Sequence, residues 1–249
     1  LRVRVVSYNI LSGGVGRADP IAEVLLAQRP DVVGLVEASD PEILDRIAWR
    51  LGFDYVHAPS PDGVWGSALL SRYPVLESTN VTALRDDGPR SFLWATLDHP
   101  AGPVDVGVLH LVSKPRPKRE KKRLKQLDVV FDVVGPASGH PRLLVGDFNA
   151  ASPDVKFDAS KTPARHREAI DEQGGDVPRA AIQSVLDAGY TDAHAGEQRG
   201  TVTAIDPWLR VDYIFTSGCR ATDRWIETDR LAEYASDHFP IGAEIELGN

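Results

Sequence analysis

Apolar residues along this chain follow two rhythms. Over residues 1–10, Val3 and Val5 alternate with Arg2 and Arg4 before the run closes on Ser7-Tyr8-Asn9, which predicts a strand. Asp31-Val32-Val33-Gly34-Leu35-Val36-Glu37 reads as a second, buried strand with a carboxylate at its end. Leu143-Leu144-Val145 is a third, halted at Gly146 and followed by Asp147, Phe148, Asn149 and Ala150. Gly146 admits a turn or a close backbone approach. Asp147 and Asn149 share one side of the chain if it stays extended, because side chains alternate with period two. The helical rhythm starts at Asp19-Pro20, a pair that can cap and open a helix, with Ile21, Val24 and Leu25 as its stripe. It recurs after Asp40-Pro41 with Ile43, Leu44, Ile47 and Leu51, stopped by Gly52. A further helix is predicted from Pro178, with Ile182, Val185 and Leu186, to Gly189. Short strands at 55–56, 67–70, 75–81, 92–97 and 104–109 are divided by Gly and Pro and read as an antiparallel set. Others are predicted at 201–203, 211–215, 224–227 and 241–247, whereas 151–177 has no clear period and reads as a long loop or insertion.

A content of 42% hydrophobic and 26% charged residues argues against disorder, and residues 1–249 suit a single domain, since all-β and layered α/β domains reach this size. The formal charge of −8 argues against non-specific coating of nucleic acid but allows one local basic patch. That patch is Lys114-Pro115-Arg116-Pro117-Lys118-Arg119 and Lys121-Lys122-Arg123, just after His110. It opens a helix with Leu124, Leu127, Phe131 and Val134 on its core face. Cations oppose the positive end of a helix dipole, so the segment is either a solvated face or a rim that gathers anionic substrate. The lone Cys219 excludes an intrachain disulfide and a cysteine zinc site. The loop Ser12-Gly13-Gly14-Val15-Gly16 lacks the Lys-Ser/Thr ending of a phosphate-binding loop. No apolar run approaches a membrane span and no signal peptide is visible. A soluble, cytoplasmic protein is expected, with a processed secreted form as the alternative because the chain starts at Leu1.

Asn9, Glu37, His110, Asp147, Asn149, Asp212 and the pair Asp237-His238 all sit at or beside ends of apolar runs. One polar strand end is ordinary, since Asp and Asn are common turn residues. Several together are hard to assign to core packing, because buried carboxylates are costly unless paired or metal-bound. Strand ends on one edge of layered sheets converge. The result is an oxygen-rich cluster with two imidazoles, suited to Mg²⁺ or Mn²⁺ rather than zinc.

The polar ends lie in an ordered set of motifs that covers nearly the whole chain. It comprises Ser7-Tyr8-Asn9-Ile10, Val36-Glu37-Ala38, Gly66-Ser67-Ala68-Leu69-Leu70-Ser71-Arg72, Leu109-His110, Gly146-Asp147-Phe148-Asn149-Ala150, Arg210-Val211-Asp212-Tyr213-Ile214-Phe215 and Ser236-Asp237-His238-Phe239-Pro240. This set resembles the endonuclease/exonuclease/phosphatase superfamily, the deoxyribonuclease I-like metal-dependent phosphoesterases. The resemblance implies an α/β fold: a four-layer α/β/β/α sandwich of two packed, mainly antiparallel sheets flanked by helices. It implies Mg²⁺, with Mn²⁺ as substitute, held by Glu37 with Asn9 and Asp237 beside it. It also implies that Asp147 positions or deprotonates the attacking water, that Asn149 orients the phosphate and the water, and that His110 and His238 donate to phosphate oxygens. Asp212 would orient His238. Arg90 aligns loosely with a phosphate-contacting arginine of the deoxyribonuclease branch.

The departures narrow the expectation. Tyr8 stands where abasic-site endonucleases usually carry Trp, and His110 where that branch carries Tyr. The longer motif of the inositol phosphatases around the final histidine is not found. The expected activity is a divalent-metal-dependent, nuclease-like phosphodiesterase acting by direct in-line water attack, with nucleic acid among the candidate substrates. A sphingomyelinase-like enzyme would want an exposed apolar hairpin, for which Trp65 and Trp208 are the candidates; a phosphomonoesterase is the other enzymatic alternative. A scaffold on a retired site would usually have lost a ligand, yet every motif position is filled. No obligate protein partner is visible. The loops 112–117, 151–177 and 204–209 are expected to choose the substrate.

Overall fold

The computed structural model describes every residue except 83, 85, 86, 137, 138 and 249. Its described strands form two six-stranded sheets. The first contains β1 (Arg2–Asn9), β2 (Val32–Val36), β3 (Asp54–Pro59), β4 (Gly66–Ser71), β11 (Cys219–Ile226) and β12 (Ile241–Leu247), in the order β11-β12-β1-β2-β4-β3. The second contains β5 (Val75–Asn80), β6 (Ser91–His99), β7 (Gly102–His110), β8 (Arg142–Asp147), β9 (Thr191–Asp192) and β10 (Asp212–Ser217), in the order β5-β6-β7-β8-β10-β9. In each sheet only the central pair is parallel, β1 with β2 and β7 with β8. All other pairings are antiparallel.

A parallel pair needs a crossover, supplied by α1 (Ala18–Ala27) in the first sheet and α3 (Pro117–Val134) in the second. Helices α2 (Pro41–Leu51) and α6 (Arg230–Ala235) pack against α1, and α5 (Ala180–Asp187) against α3. The order of layers is therefore helix, sheet, sheet, helix. The larger apolar core fills the space between the sheets and beneath α1 and α2. A second core, including Leu127, Val130, Leu144, Phe148, Ile182 and Val185, lies under α3 and α5. Gly34 in β2 shows how closely the sheets meet: a Cβ there would stand 2.5 Å from Val145 Cγ2 of β8.

Several expectations need correction. Asp19 does not cap α1, which starts at Ala18; it binds Arg46 and Arg50 of α2 instead. The stretch 151–177 is not structureless, since it holds a 3₁₀ turn at Ala159–Lys161 and α4 (Ala164–Asp171). Only Ala169 and Ile170 of α4 are buried, too few apolar positions for a readable period. The predicted strand at 201–203 reduces to isolated bridges from Val202 to Leu209 and His238. Strand β11 begins at Cys219 rather than Arg224, and its mostly exposed side chains hid the extra length. The inner face of α3 is partly polar: Glu120, Arg123 and Gln126 are buried, while Leu124 and Phe131 are only half-buried.

Candidate active site

Each parallel pair ends on the same edge of the sandwich. Asn9 closes β1 and Glu37 follows β2; His110 closes β7 and Asp147 closes β8. The register sets His110, Asp147 and Asp212 abreast across three strands of the second sheet. Asp237 and His238 arrive just before β12. Gly146 is required here, because its φ is +137° and a Cβ would fall 1.9 Å from the Leu109 carbonyl oxygen.

Two residues leave their strands in left-handed conformation, Glu37 at φ 57° and Asn149 at φ 50°. Glu37 is held by the Ser12 N–H on Oε2 at 2.8 Å and by the Gly13 N–H on its carbonyl at 2.8 Å. The Asn149 N–H donates to Asp147 Oδ1 at 2.8 Å and its Nδ2 to the Leu111 carbonyl at 3.0 Å. Asp147 and Asn149 thus do not share a face of one extended strand, as alternation predicted. The strand stops at Asp147 and an Asx turn brings Asn149 to the same cleft.

The amide of Asn9 joins the two sheets. Its Nδ2 lies 3.2 Å from Glu37 Oε1 and 3.2 Å from Asp147 Oδ2. Its Oδ1 accepts from the Leu11 N–H at 3.0 Å, which fixes the amide orientation. Asn9 therefore turns nitrogen, not oxygen, toward the carboxylates, and in this arrangement it spaces them rather than offering a metal ligand. His238 Nδ1 bonds Asp212 Oδ2 at 2.8 Å, while its Nε2 stands 3.8 Å from Asp147 Oδ2. His110 Nε2 lies 3.5 Å from the same Asp147 oxygen and 3.4 Å from Arg90 Nη1. Arg90 also donates to Ser113 Oγ at 2.9 Å and lies 4.2 Å over the Trp65 ring.

Burial separates the protonation states of these groups. It pushes the Asp147 carboxyl up to about 7, helped by the nearby charge of Asp212. Burial also works against charge on His238, but Asp212 and then Asp147 and Asp237 outweigh it and raise the imidazole to about 10. His110 is driven well below its ordinary range by burial, then by Arg90 and His238. One histidine is therefore a cation at neutral pH and the other is not.

The oxygen donors suit a hard divalent ion. Asp237 Oδ1 and Asp212 Oδ1 are buried without a hydrogen-bond partner, a costly state that a cation would relieve for Asp237. Asp147, Asp212 and His238 could also bring ligand atoms within 4.8 Å of one another. An ion inside that trio would displace the Asp212–His238 hydrogen bond and face the cationic imidazole. The Glu37 and Asp237 side of the cleft is the better fit.

The cleft has a volume of about 350 Å³ and is lined by Glu37, His110, Asp147, Asn149, Asp237 and His238. Asn9 and Asp212 stand behind these residues. All three loops expected to choose the substrate reach its walls, through Ser113 to Pro115, Arg165 and His166, and Trp208 and Leu209. Sequence reasoning missed Arg165 and His166, which arrive on the unrecognised α4. Neither tryptophan forms an exposed hairpin tip. Trp208 is buried, with His166 stacked on it at 5.4 Å, and Trp65 meets the His110 ring edge-on at 5.3 Å.

A model of the Endonuclease/Exonuclease/phosphatase family matches residues 6–238. The chain is 28% identical over 250 aligned positions to "Uncharacterized protein YbhP" of Escherichia coli (strain K12), covering 98% of this chain and 86% of that protein. Among solved structures, an AP endonuclease from Archaeoglobus fulgidus aligns with a TM-score of 0.73 at 19% identity, over 97% of this chain and 98% of its own. A 3′ phosphatase from Neisseria bound to product DNA hairpin aligns with a TM-score of 0.71 at 21% identity, over 98% and 99%. At these identities the structural likeness establishes the fold.

Proposed function

Because the chain belongs to the endonuclease/exonuclease/phosphatase family of metal-dependent phosphoesterases, we propose that it is a Mg²⁺-dependent phosphodiesterase with nuclease-like substrates. Water attacks the phosphorus in line, with no covalent enzyme intermediate. The observation that carries this reading is the Asp147 carboxylate between a cationic His238 and a neutral His110, with Asn9 linking it to Glu37. That grouping matches what phosphoester hydrolysis requires: a base, donors for developing charge and an adjoining oxygen-rich edge.

Glu37 and Asp237 would hold the metal, and Asn9 keeps Glu37 at its distance from Asp147. When bound, Mg²⁺ supplies charge neutralisation for the phosphate and leaving oxygens. Asp147 accepts the proton of the attacking water, a role suited to a carboxyl raised to about 7. Asn149 orients that water and the phosphate. His238, kept protonated by Asp212, donates to a phosphate oxygen as charge grows on it. His110 and Arg90 face the phosphate from the other side. Trp65 flanks the centre on one side and Trp208 with Leu209 on another, which gives two ester substituents apolar surfaces and favours a diester over a monoester.

The test is a panel with Mg²⁺ across plasmid DNA, single-stranded RNA, abasic DNA, sphingomyelin, inositol phosphates and a bis-aryl phosphodiester. Turnover of nucleic acid or of the bis-aryl diester is expected. A protein that binds Mg²⁺ yet is inert on the whole panel would overturn the reading and favour a scaffold.

A further inference from the structure

Lys114 adopts φ 83°, a conformation that L residues with side chains rarely take. It is actively held there. The carbonyl oxygen of Lys114 accepts from Arg123 Nη1 at 3.1 Å and from the Arg116 N–H at 2.9 Å. Arg123 is fully buried, also binds the Val112 carbonyl at 2.9 Å, and pairs with Glu120 at 2.7 Å. The other Glu120 oxygen receives the Ala181 N–H of α5 at 2.6 Å. A buried charged network joining two helices thus fixes a strained lysine at the mouth of the cleft. Strain maintained in this way points to a local function.

Helix α4 brings a second cation to the same wall. It is tied down by Gln173 Nε2 on the Pro115 carbonyl at 2.6 Å and by Arg116 facing Glu168 and Glu172 at 3.9 and 3.7 Å. Arg116 thus faces two carboxylates. Among the described residues, neither Lys114 nor Arg165 has such a carboxylate partner, and both line the cleft. Among the described residues, the side chain of Arg165 bonds only His166, from Nε to Nε2 at 3.1 Å. Burial, then the charges of Arg165, Lys114 and Arg116, hold His166 below its ordinary range, so these cations gather about one ring. His166 stacks on Trp208, which forms the wall behind them.

We propose that Lys114 and Arg165 form a second anion subsite on the Trp208 side of the cleft, which takes a non-scissile phosphate of the same substrate. The subsite rests on the phosphodiesterase reading only for what lies at the catalytic centre. A second phosphate could belong to a nucleic acid chain or to a small bisphosphorylated molecule. In either case it meets two unpaired cations beside a ring wall, while the scissile phosphate meets Arg90 and the histidines.

Binding is measured first without Mg²⁺, so that turnover does not interfere. Calorimetry compares thymidine 3′,5′-bisphosphate with thymidine 5′-monophosphate. The bisphosphate is expected to bind about tenfold more tightly. Lys114→Ala and Arg165→Ala should each shrink that ratio, and the double variant should bring it close to one. Lys114→Gly separates backbone from charge: glycine accepts a positive φ, so this variant should melt no lower than the wild type and still shrink the ratio as Lys114→Ala does. A ratio near one in the wild type, or an unchanged ratio in the double variant, overturns the proposal. So does a Lys114→Gly protein that keeps the ratio.

Turnover is then measured on a dinucleotide with and without a terminal phosphate. Loss of the preference for the phosphorylated form in the double variant supports the subsite. If no diester is cleaved but the bisphosphate advantage is present and lost in the double variant, the phosphodiesterase reading fails and the subsite stands. Cleavage without any bisphosphate advantage gives the reverse result. Fructose 1,6-bisphosphate distinguishes the sources. An advantage equal to that of the nucleotide marks a small bisphosphate substrate, and one confined to the nucleotide marks a nucleic acid chain read with Trp208.

Discussion

The two sheets have one plan and two chemistries. Each has a central parallel pair joined by a helix, with antiparallel strands on both sides. At matching positions the first sheet ends in Asn9, Val36 and Ser67, and the second in His110, Asp147 and Asp212. The first sheet places its carboxylate one residue later, at half-buried Glu37, whereas the acids of the second are 1% exposed. Topology thus sets where functional groups can stand, and burial sets what they become. A wetter edge keeps oxygens available to a cation, while a dry edge drives the proton affinities of Asp147, His110 and His238 away from their ordinary ranges.

The sharpest way to break this division is Asp147→Asn, which removes the base but keeps shape and a hydrogen-bonding oxygen. Turnover should fall by about 10²–10⁴-fold, with a melting curve that shows a folded protein, and added Mg²⁺ should not restore it. A folded variant with near wild-type turnover would sink the mechanism. His238→Ala should be comparably severe, and the double variant should lose far less than the product of the two, since both serve one transition state.

Glu37→Gln should act on the other edge. Mg²⁺ affinity by calorimetry should fall by roughly 10–100-fold, and saturating Mg²⁺ should recover much of the lost turnover. Recovery here and none in Asp147→Asn would sharpen the contrast between edges. Unchanged affinity removes Glu37 from the ligand set.

The dry edge should also appear in the pH dependence of metal-free stability. His238 is raised from 6.5 to about 10, so its contribution is complete below pH 6.5 and lost as pH rises through about 10. Asp147, raised from 3.8 to about 7, binds more protons folded than unfolded between those values, so its contribution also declines as pH rises. Melting temperature without metal should therefore fall between pH 7 and 10. Asp212→Asn, which removes the largest support for the His238 cation, should flatten that decline; an equal slope in both proteins contradicts the assignment.

The smallest effect concerns the crossover helices. Helix α1 contains no Lys or Arg, whereas α3 exposes Lys118, Lys121, Lys122 and Lys125. Reversing Lys118, Arg119, Lys121 and Lys122 to Glu should slow cleavage of a polyanionic substrate and flatten its salt dependence, with less effect on a bis-aryl diester. Equal effects on both substrates would leave α3 as a solvated face.

The strands that build the site were legible because each is an apolar run ended by a polar residue, and their ordered motifs pointed to the fold through their resemblance to a known family. What escaped was local backbone geometry and polar burial. Nothing in Gly146-Asp147-Phe148-Asn149 announces that Asn149 turns left-handed, because the turn depends on the Leu111 carbonyl from a neighbouring segment. The six residues of α6 are too few for a period, although Asp229 caps it at 2.7 Å. The Arg123–Glu120 pair reads as surface charge until α5 covers it.

The pairing of β1 with β12 sets a schedule. Arg2 lies opposite Glu246, and the Leu247 N–H donates to the Leu1 carbonyl at 3.0 Å. Residues 75–217, by contrast, supply every strand of the second sheet as one uninterrupted stretch. On a ribosome, that sheet has all its strands while β1 still waits for its antiparallel neighbour, and contacts so distant along a chain form slowly. The strand ends that carry His110, Asp147 and Asp212 are thus assembled from early neighbours. Glu37 gains Asp237, and Asp212 gains His238, only when the segment leading into β12 is made, so a nascent chain carries the base well before it carries the full ligand edge.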